Sequence, residues 1–161
     1  MNKIHSILVR YLILLIVAIP NLYLFYFIFT PPTVFSTKLL FSLFNVDYTS
    51  IQIISACIAG SAYYLLLILN LSTPNIKFKK RIFLILSAFL IFLVLNILRI
   101  FFLALLFVKS FYLFGILHKI FWYALSTFFV VSIWFVQVKR YKIKNIPIYS
   151  DIKYLVQKTK C

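Results

Sequence analysis

Apolar residues in this chain come in long unbroken runs, with neither the alternation of a half-buried strand nor the one-sided stripe of a soluble helix. Four runs approach or exceed the roughly 20 residues that a bilayer-spanning helix needs. They are Tyr11 to Phe29, Ile51 to Leu71, Ile82 to Val108, and about Phe111 to Val138. A fifth, Val34 to Phe44, carries Lys38, follows Pro31-Pro32 and is too short to span. It reads as an interfacial or re-entrant helix. Pro20 falls inside the first run and predicts a kink whose freed carbonyl neighbouring helices can satisfy. The pattern predicts an all-α integral membrane protein with about four transmembrane helices plus a short interfacial helix. Residues 1–138 form one transmembrane domain and residues 139–161 a basic cytoplasmic tail.

Composition agrees. Hydrophobic residues make up 65% of the 161 and charged residues 12%, against about half and a quarter in a soluble domain. Lys3 and Arg10 before the first run resemble the n-region of a signal peptide. The run is longer than a signal's apolar core, however, and ends in Thr30-Pro31-Pro32 without a small-x-small site, so it reads as retained.

The formal net charge is +15, but the basic residues lie between apolar runs and form no stripe for nucleic acid. Their placement instead predicts orientation. Thirteen fall on one side of a four-span chain: Lys3, Arg10, Lys77, Lys79, Lys80, Arg81, Lys139, Arg140, Lys142, Lys144, Lys153, Lys158 and Lys160. Three fall on the other: Lys38, Lys109 and Lys119. Both termini are therefore expected in the cytoplasm, at the cell (plasma) membrane. The tail from Lys139 reads as a polybasic surface segment suited to anionic lipids.

Carboxylates are scarce, with Asp47 and Asp151 alone. No acid pair is available for glycosidase or aspartic-protease chemistry, and no acidic cluster for magnesium or calcium. Two histidines and two cysteines far apart make a zinc site improbable. No cofactor is called for, and with only Gly60 and Gly115 there is no Gly-rich phosphate loop. The topology puts Cys57 and Cys161 on opposite sides of the membrane, so they are not expected to pair.

What chemistry remains rests on isolated polar residues. Arg99 lies deep in the third run, with Asn96 one turn before it on the same face. An intramembrane Arg costs at least about 2.5 kcal/mol on insertion scales and faces a protein interior or a polar cavity. Bonding to backbone carbonyls, or snorkelling, is the plain alternative. Cys57 lies about 9 Å into the second run at 1.5 Å per residue, close to Gly60 and Ser61. An inert buried thiol is the commoner fate of such a Cys, but an Arg at its depth can stabilise a thiolate. His118 lies nine residues after Lys109 and Arg99 ten before it, so an antiparallel hairpin predicts one depth for both. His5 is shallow and is given no role.

The order of these residues resembles the exosortase/archaeosortase family: Cys57 with Gly60 nearby, then Asn96-Ile97-Leu98-Arg99-Ile100, then Leu117-His118. The resemblance covers roughly residues 50–138, and the small size is similar to minimal archaeal members. It implies a membrane-embedded cysteine transpeptidase. Such enzymes recognise C-terminal sorting tails of secreted or surface proteins, cleave at the outer face and pass the new terminus to an acceptor, often a lipid. It further implies Cys57 as nucleophile, His118 as proton carrier, Arg99 as stabiliser of the thiolate or the oxyanion, and Asn96 as support. The alternatives are a non-catalytic small membrane subunit and a lipid-headgroup-binding protein.

Overall fold

A computed structural model describes residues 3–46, 53–109, 111–143 and 147–159 of the chain. All regular structure among the described residues is helical. The first run comprises α1 (Lys3–Ala18) and α2 (Asn21–Leu43). The second comprises α3 (Ser55–Ile58) and α4 (Gly60–Leu71), and the third is α5 (Phe78–Lys109). The fourth comprises α6 (Phe111–Ile120), a π-helical turn (Phe121–Leu125) and α7 (Ser126–Arg140). A last helix, α8 (Tyr149–Thr159), follows.

The runs alternate in direction, as side-chain contacts show. Arg10 on α1 reaches the carbonyl of Leu71, while Tyr64, seven residues earlier, donates to the carbonyl of Leu14. Asn96 of α5 reaches back to Cys57, and Gln137 of α7 to Leu84. One end of this up-down-up-down bundle therefore holds the start of α1, the α4–α5 connection, the end of α7, and α8. It is the basic end.

The seam between the runs is aromatic. Phe29 stacks on Tyr63 at 3.8 Å between ring centroids, and Phe92 meets Tyr63 edge-on at 4.8 Å. α5 buries Leu84, Ala88, Phe92 and Asn96 at four-residue steps. Its opposite face exposes Leu86, Leu90, Val94, Leu98 and Phe102, again at four-residue steps. A helix apolar on both faces suits a lipid surround. Two helical segments, Tyr23–Leu43 and Phe78–Lys109, are long and apolar enough to cross a membrane.

The prolines act opposite to expectation. Pro20 does not kink a helix over Tyr11 to Phe29; α1 ends before it, and α2 begins with Tyr23 donating to the Pro20 carbonyl at 2.9 Å. Pro31 and Pro32 do not end a helix, since α2 runs through both. The expected interfacial helix over Val34 to Phe44 is thus the second half of α2. The reason is packing. Phe25, Phe29, Thr33, Thr37 and Phe41, each four residues apart, put one continuous stripe against α4 and α5. That burial outweighs the backbone bonds the two prolines remove.

Nor is the basic tail free. Asp151 of α8 accepts from Arg10 Nη2 through both oxygens, at 3.0 and 2.9 Å, in a buried ion pair. Arg10 also donates to Ser6 and Leu71 carbonyls, and the Ile148 amide to Ser72. Arg81 holds the same turn through the carbonyls of Asn70, Leu71 and Thr73.

Candidate functional site

The second run breaks where its informative residues lie. Ala59 takes the left-handed conformation, φ 55° and ψ 47°, which an L-residue with a Cβ adopts at a cost of about 1–3 kcal/mol. The break parts α3 from α4, so the carbonyls of Cys57 and Ile58 are not enclosed in a continuing helix. The α5 side chains take them instead. Asn96 Nδ2 donates to the Cys57 carbonyl at 2.9 Å and to the Ile58 carbonyl at 3.4 Å. Arg99 Nη2 donates to the same Cys57 carbonyl at 3.1 Å.

Arg99 has a second anchor. Its Nη1 donates to Ser126 Oγ at 2.7 Å, and Ser126 Oγ in turn donates to the Phe121 carbonyl at 3.4 Å, five residues back across the π-helical turn. π turns recur at functional sites because the extra residue re-aims side chains. Ser126 is a site residue that the sequence reading missed. A serine among the few hydroxyls of an apolar run facing an Arg-bearing run was the available signal.

Arg99 is 8% exposed and Asn96 1%. The Cys57 thiol is free and half-buried. Asp151 is committed to Arg10 at the basic end, and Asp47 lies outside the described residues. Among the described residues Arg99 therefore has no carboxylate partner. The ionisable groups close enough to feel its charge are Cys57 and Tyr63.

The structure brings Cys57, Asn96 and Arg99 together and leaves His118 apart. His118 lies on α6 with its ring 5.2 Å from that of Phe114, and its buried Nδ1 meets no described partner. No hydrogen bond joins it to the other three. What stands opposite the Arg99 guanidinium is Ser126, eight residues further along, or about 12 Å nearer the basic end. The expected common depth fails for the functional heads because helical side chains lean toward their own N-termini. On α5 that lean carries Arg99 toward the basic end, and on the antiparallel α6 it carries His118 away from it. Cys161 lies outside the described residues.

No group of three His, Cys, Asp or Glu able to hold a metal occurs among the described residues. No protein-family model, curated protein or solved structure matches this chain.

Proposed function

We propose that this chain is a four-span protein of the cell membrane with both termini in the cytoplasm, acting as a membrane-embedded cysteine transpeptidase on C-terminal sorting tails. The membrane reading draws on the two long apolar segments, the lipid-suited outward face of α5 and the thirteen-to-three division of basic residues. The basic end then faces the cytoplasm and anionic headgroups, with α8 lying against them.

One observation carries the catalytic reading: a buried guanidinium, without a carboxylate partner among the described residues, is bonded to the backbone carbonyl of Cys57, a residue whose thiol is free and which is itself half-buried. A desolvated cation without an anion costs several kcal/mol, and the Cys57 thiolate is the anion at hand. The thiolate attacks the scissile carbonyl, and the tetrahedral oxyanion forms within reach of Arg99. As the C–N bond breaks, the leaving amine takes a proton from the His118 imidazolium, leaving a Cys57 thioester and a neutral imidazole. The acceptor's nucleophile gives its proton to His118 as it attacks the thioester, and Cys57 leaves as thiolate. On this reading Arg99 serves the thiolate and the oxyanion, whereas His118 serves the leaving and entering groups.

The capping of Cys57 and Ile58 carbonyls by Asn96 and Arg99 also favours a second reading, a non-catalytic membrane subunit in which these residues only hold the helix break. Cys57→Ala separates the two. Co-expressed with a surface protein ending in a signature motif, an apolar helix and a basic cluster, it abolishes tail cleavage on the transpeptidase reading. Cleavage at the wild-type rate rules out the transpeptidase reading. A lipid-headgroup protein would instead tolerate Cys57→Ala and lose its ligand with Arg99→Ala.

A further inference from the structure

The stripe that α2 presents to the core is apolar except at two places. Phe25, Phe29 and Phe41 alternate with nothing polar, but between Phe29 and Phe41 the same four-residue steps are filled by Thr33 and Thr37. Both threonines are 0% exposed, and neither hydroxyl is bonded to any described residue. A helical Thr ordinarily satisfies its hydroxyl on the carbonyl three or four residues back, and these two do not.

Their level along the bundle can be fixed. Phe29 stacks on Tyr63, which meets Phe92, and Phe41 meets Phe101 at 5.8 Å. The interval of α2 from Phe29 to Phe41 therefore faces the interval of α5 from Phe92 to Phe101. The first contains Thr33 and Thr37, and the second contains Asn96 and Arg99. α2 also packs against α3, which carries Cys57.

At that level the unsatisfied groups accumulate. Asn96 Oδ1, Arg99 Nε and the hydroxyl of Tyr63 are buried and have no described partner either. The Asn96 amide cannot be turned to remove the anomaly, because its Nδ2 is held by two carbonyls. Each orphan buried polar group costs about 1–3 kcal/mol. With Thr30 Oγ1, which is likewise buried without a described partner, six such atoms from three runs lie in or beside these facing intervals, where buried polar groups ordinarily find partners.

The donor and acceptor pattern selects the ligand. Arg99 Nε can only donate, Asn96 Oδ1 can only accept, and the hydroxyls can do either. The phosphodiester of a lipid headgroup offers only acceptors and would be repelled by Asn96 Oδ1. A peptide group offers both a carbonyl and an N–H.

We infer that Thr33, Thr37, Tyr63, Asn96 and Arg99 form a subsite for the backbone amides of the peptide segment acylating Cys57. This rests on the transpeptidase reading and gives that site its substrate class. It makes Thr33 and Thr37 positioning residues, selected for the amides next to the scissile bond.

The test uses two alkylating agents with one warhead on the full-length protein in proteoliposomes. One is a panel of acyl-dipeptidyl chloromethyl ketones. The other is chloroacetone, which carries no amide. Thr33→Val/Thr37→Val is isosteric and removes only hydroxyls, so the fold is retained. The subsite predicts that Cys57 alkylation by the most reactive peptidyl ketone slows by about tenfold or more, while alkylation by chloroacetone is unchanged. Equal slowing of both reagents would overturn the inference, since the threonines would then shape Cys57 itself. No slowing of either would also overturn it, assigning the orphan hydroxyls to buried water. Protection of Cys57 by inorganic phosphate or glycerol phosphate, without protection by an acyl-dipeptide amide, would overturn it in favour of a headgroup. If the double variant alters the reagent ratio but Cys57→Ala still cleaves tails, the subsite survives and the proposed reaction does not.

Discussion

Replacing Asp151 by Asn measures how firmly α8 is held to the basic end. Arg10 and Asp151 side chains are 8% and 5% exposed, and one guanidinium nitrogen sits on both carboxylate oxygens. At about 4 Å and an effective dielectric of 20 the charges attract by about 4 kcal/mol. Desolvation offsets much of that in the intact pair, but removal of one partner exposes the uncompensated cost, typically about 3–5 kcal/mol. Asn keeps one acceptor for Arg10, and Arg10 keeps the carbonyls of Ser6 and Leu71. The expected loss is therefore near the lower figure, about 3 kcal/mol, or a rise of more than a hundredfold in the undocked population of α8. Limiting trypsin reads that population through the initial rate of cleavage at Lys153, provided that redocking is fast relative to cutting. Asp151→Asn should raise the rate by about a hundredfold, and the wild-type rate should change little in 1 M salt because the pair is dry. Arg10→Met/Asp151→Leu should return to within about tenfold of wild type, since an apolar pair leaves no orphan charge. If Asp151→Asn cleaves within threefold of wild type, the pair does not hold α8.

Three further substitutions probe the site, and four single cysteines probe the topology. Asn96→Leu strips a donor from the Cys57 and Ile58 carbonyls and should destabilise by about 1–3 kcal/mol in a denaturant titration, whereas an effect under about 0.5 kcal/mol would show that the break is held by other contacts. Asn96→Asp gives Arg99 a carboxylate neighbour, so Cys57 alkylation by iodoacetamide at neutral pH should slow by about tenfold; an unchanged rate would mean that Arg99 does not activate the thiol. Ser126→Ala removes the 2.7 Å partner of Arg99 and should cost about 1.5–3 kcal/mol, the range for a bond to a charged group. Single cysteines in place of Lys38 and Lys119 should react with an impermeant maleimide from outside intact cells, and cysteines in place of Lys77 and Lys142 only after permeabilisation. Labelling of all four from one side would exclude the four-span arrangement.

The bundle was legible where sequence pattern maps onto one physical quantity. Apolar run length gives helical runs, and the order of basic residues gives their alternation. The breaks were not legible. A proline inside an apolar run signals a kink, yet Pro31 and Pro32 sit mid-helix while α1 ends just before Pro20. The difference lies in the buried four-residue stripe of α2, a tertiary effect. Ala59 carries no sign of a left-handed turn, because alanine is the strongest helix former; only the side chains waiting on α5 make the break tolerable. Cys57, Asn96 and Arg99 were found because polar residues in apolar runs are few. Counting residues from the helix ends placed Cα atoms at one depth but not the functional heads, since antiparallel helices lean their side chains in opposite directions. The same count could not see Ser126, which the π-helical turn aims at Arg99.

The central claim is that Cys57 carries the cleaved chain as a thioester. Intact-mass analysis of the protein, quenched in acid during turnover of a tailed substrate, measures this directly. The account predicts an adduct equal in mass to the acyl fragment, localised to Cys57, released by neutral hydroxylamine and absent in Cys57→Ala. Tail cleavage that proceeds with no adduct, or that persists in Cys57→Ala, would contradict it.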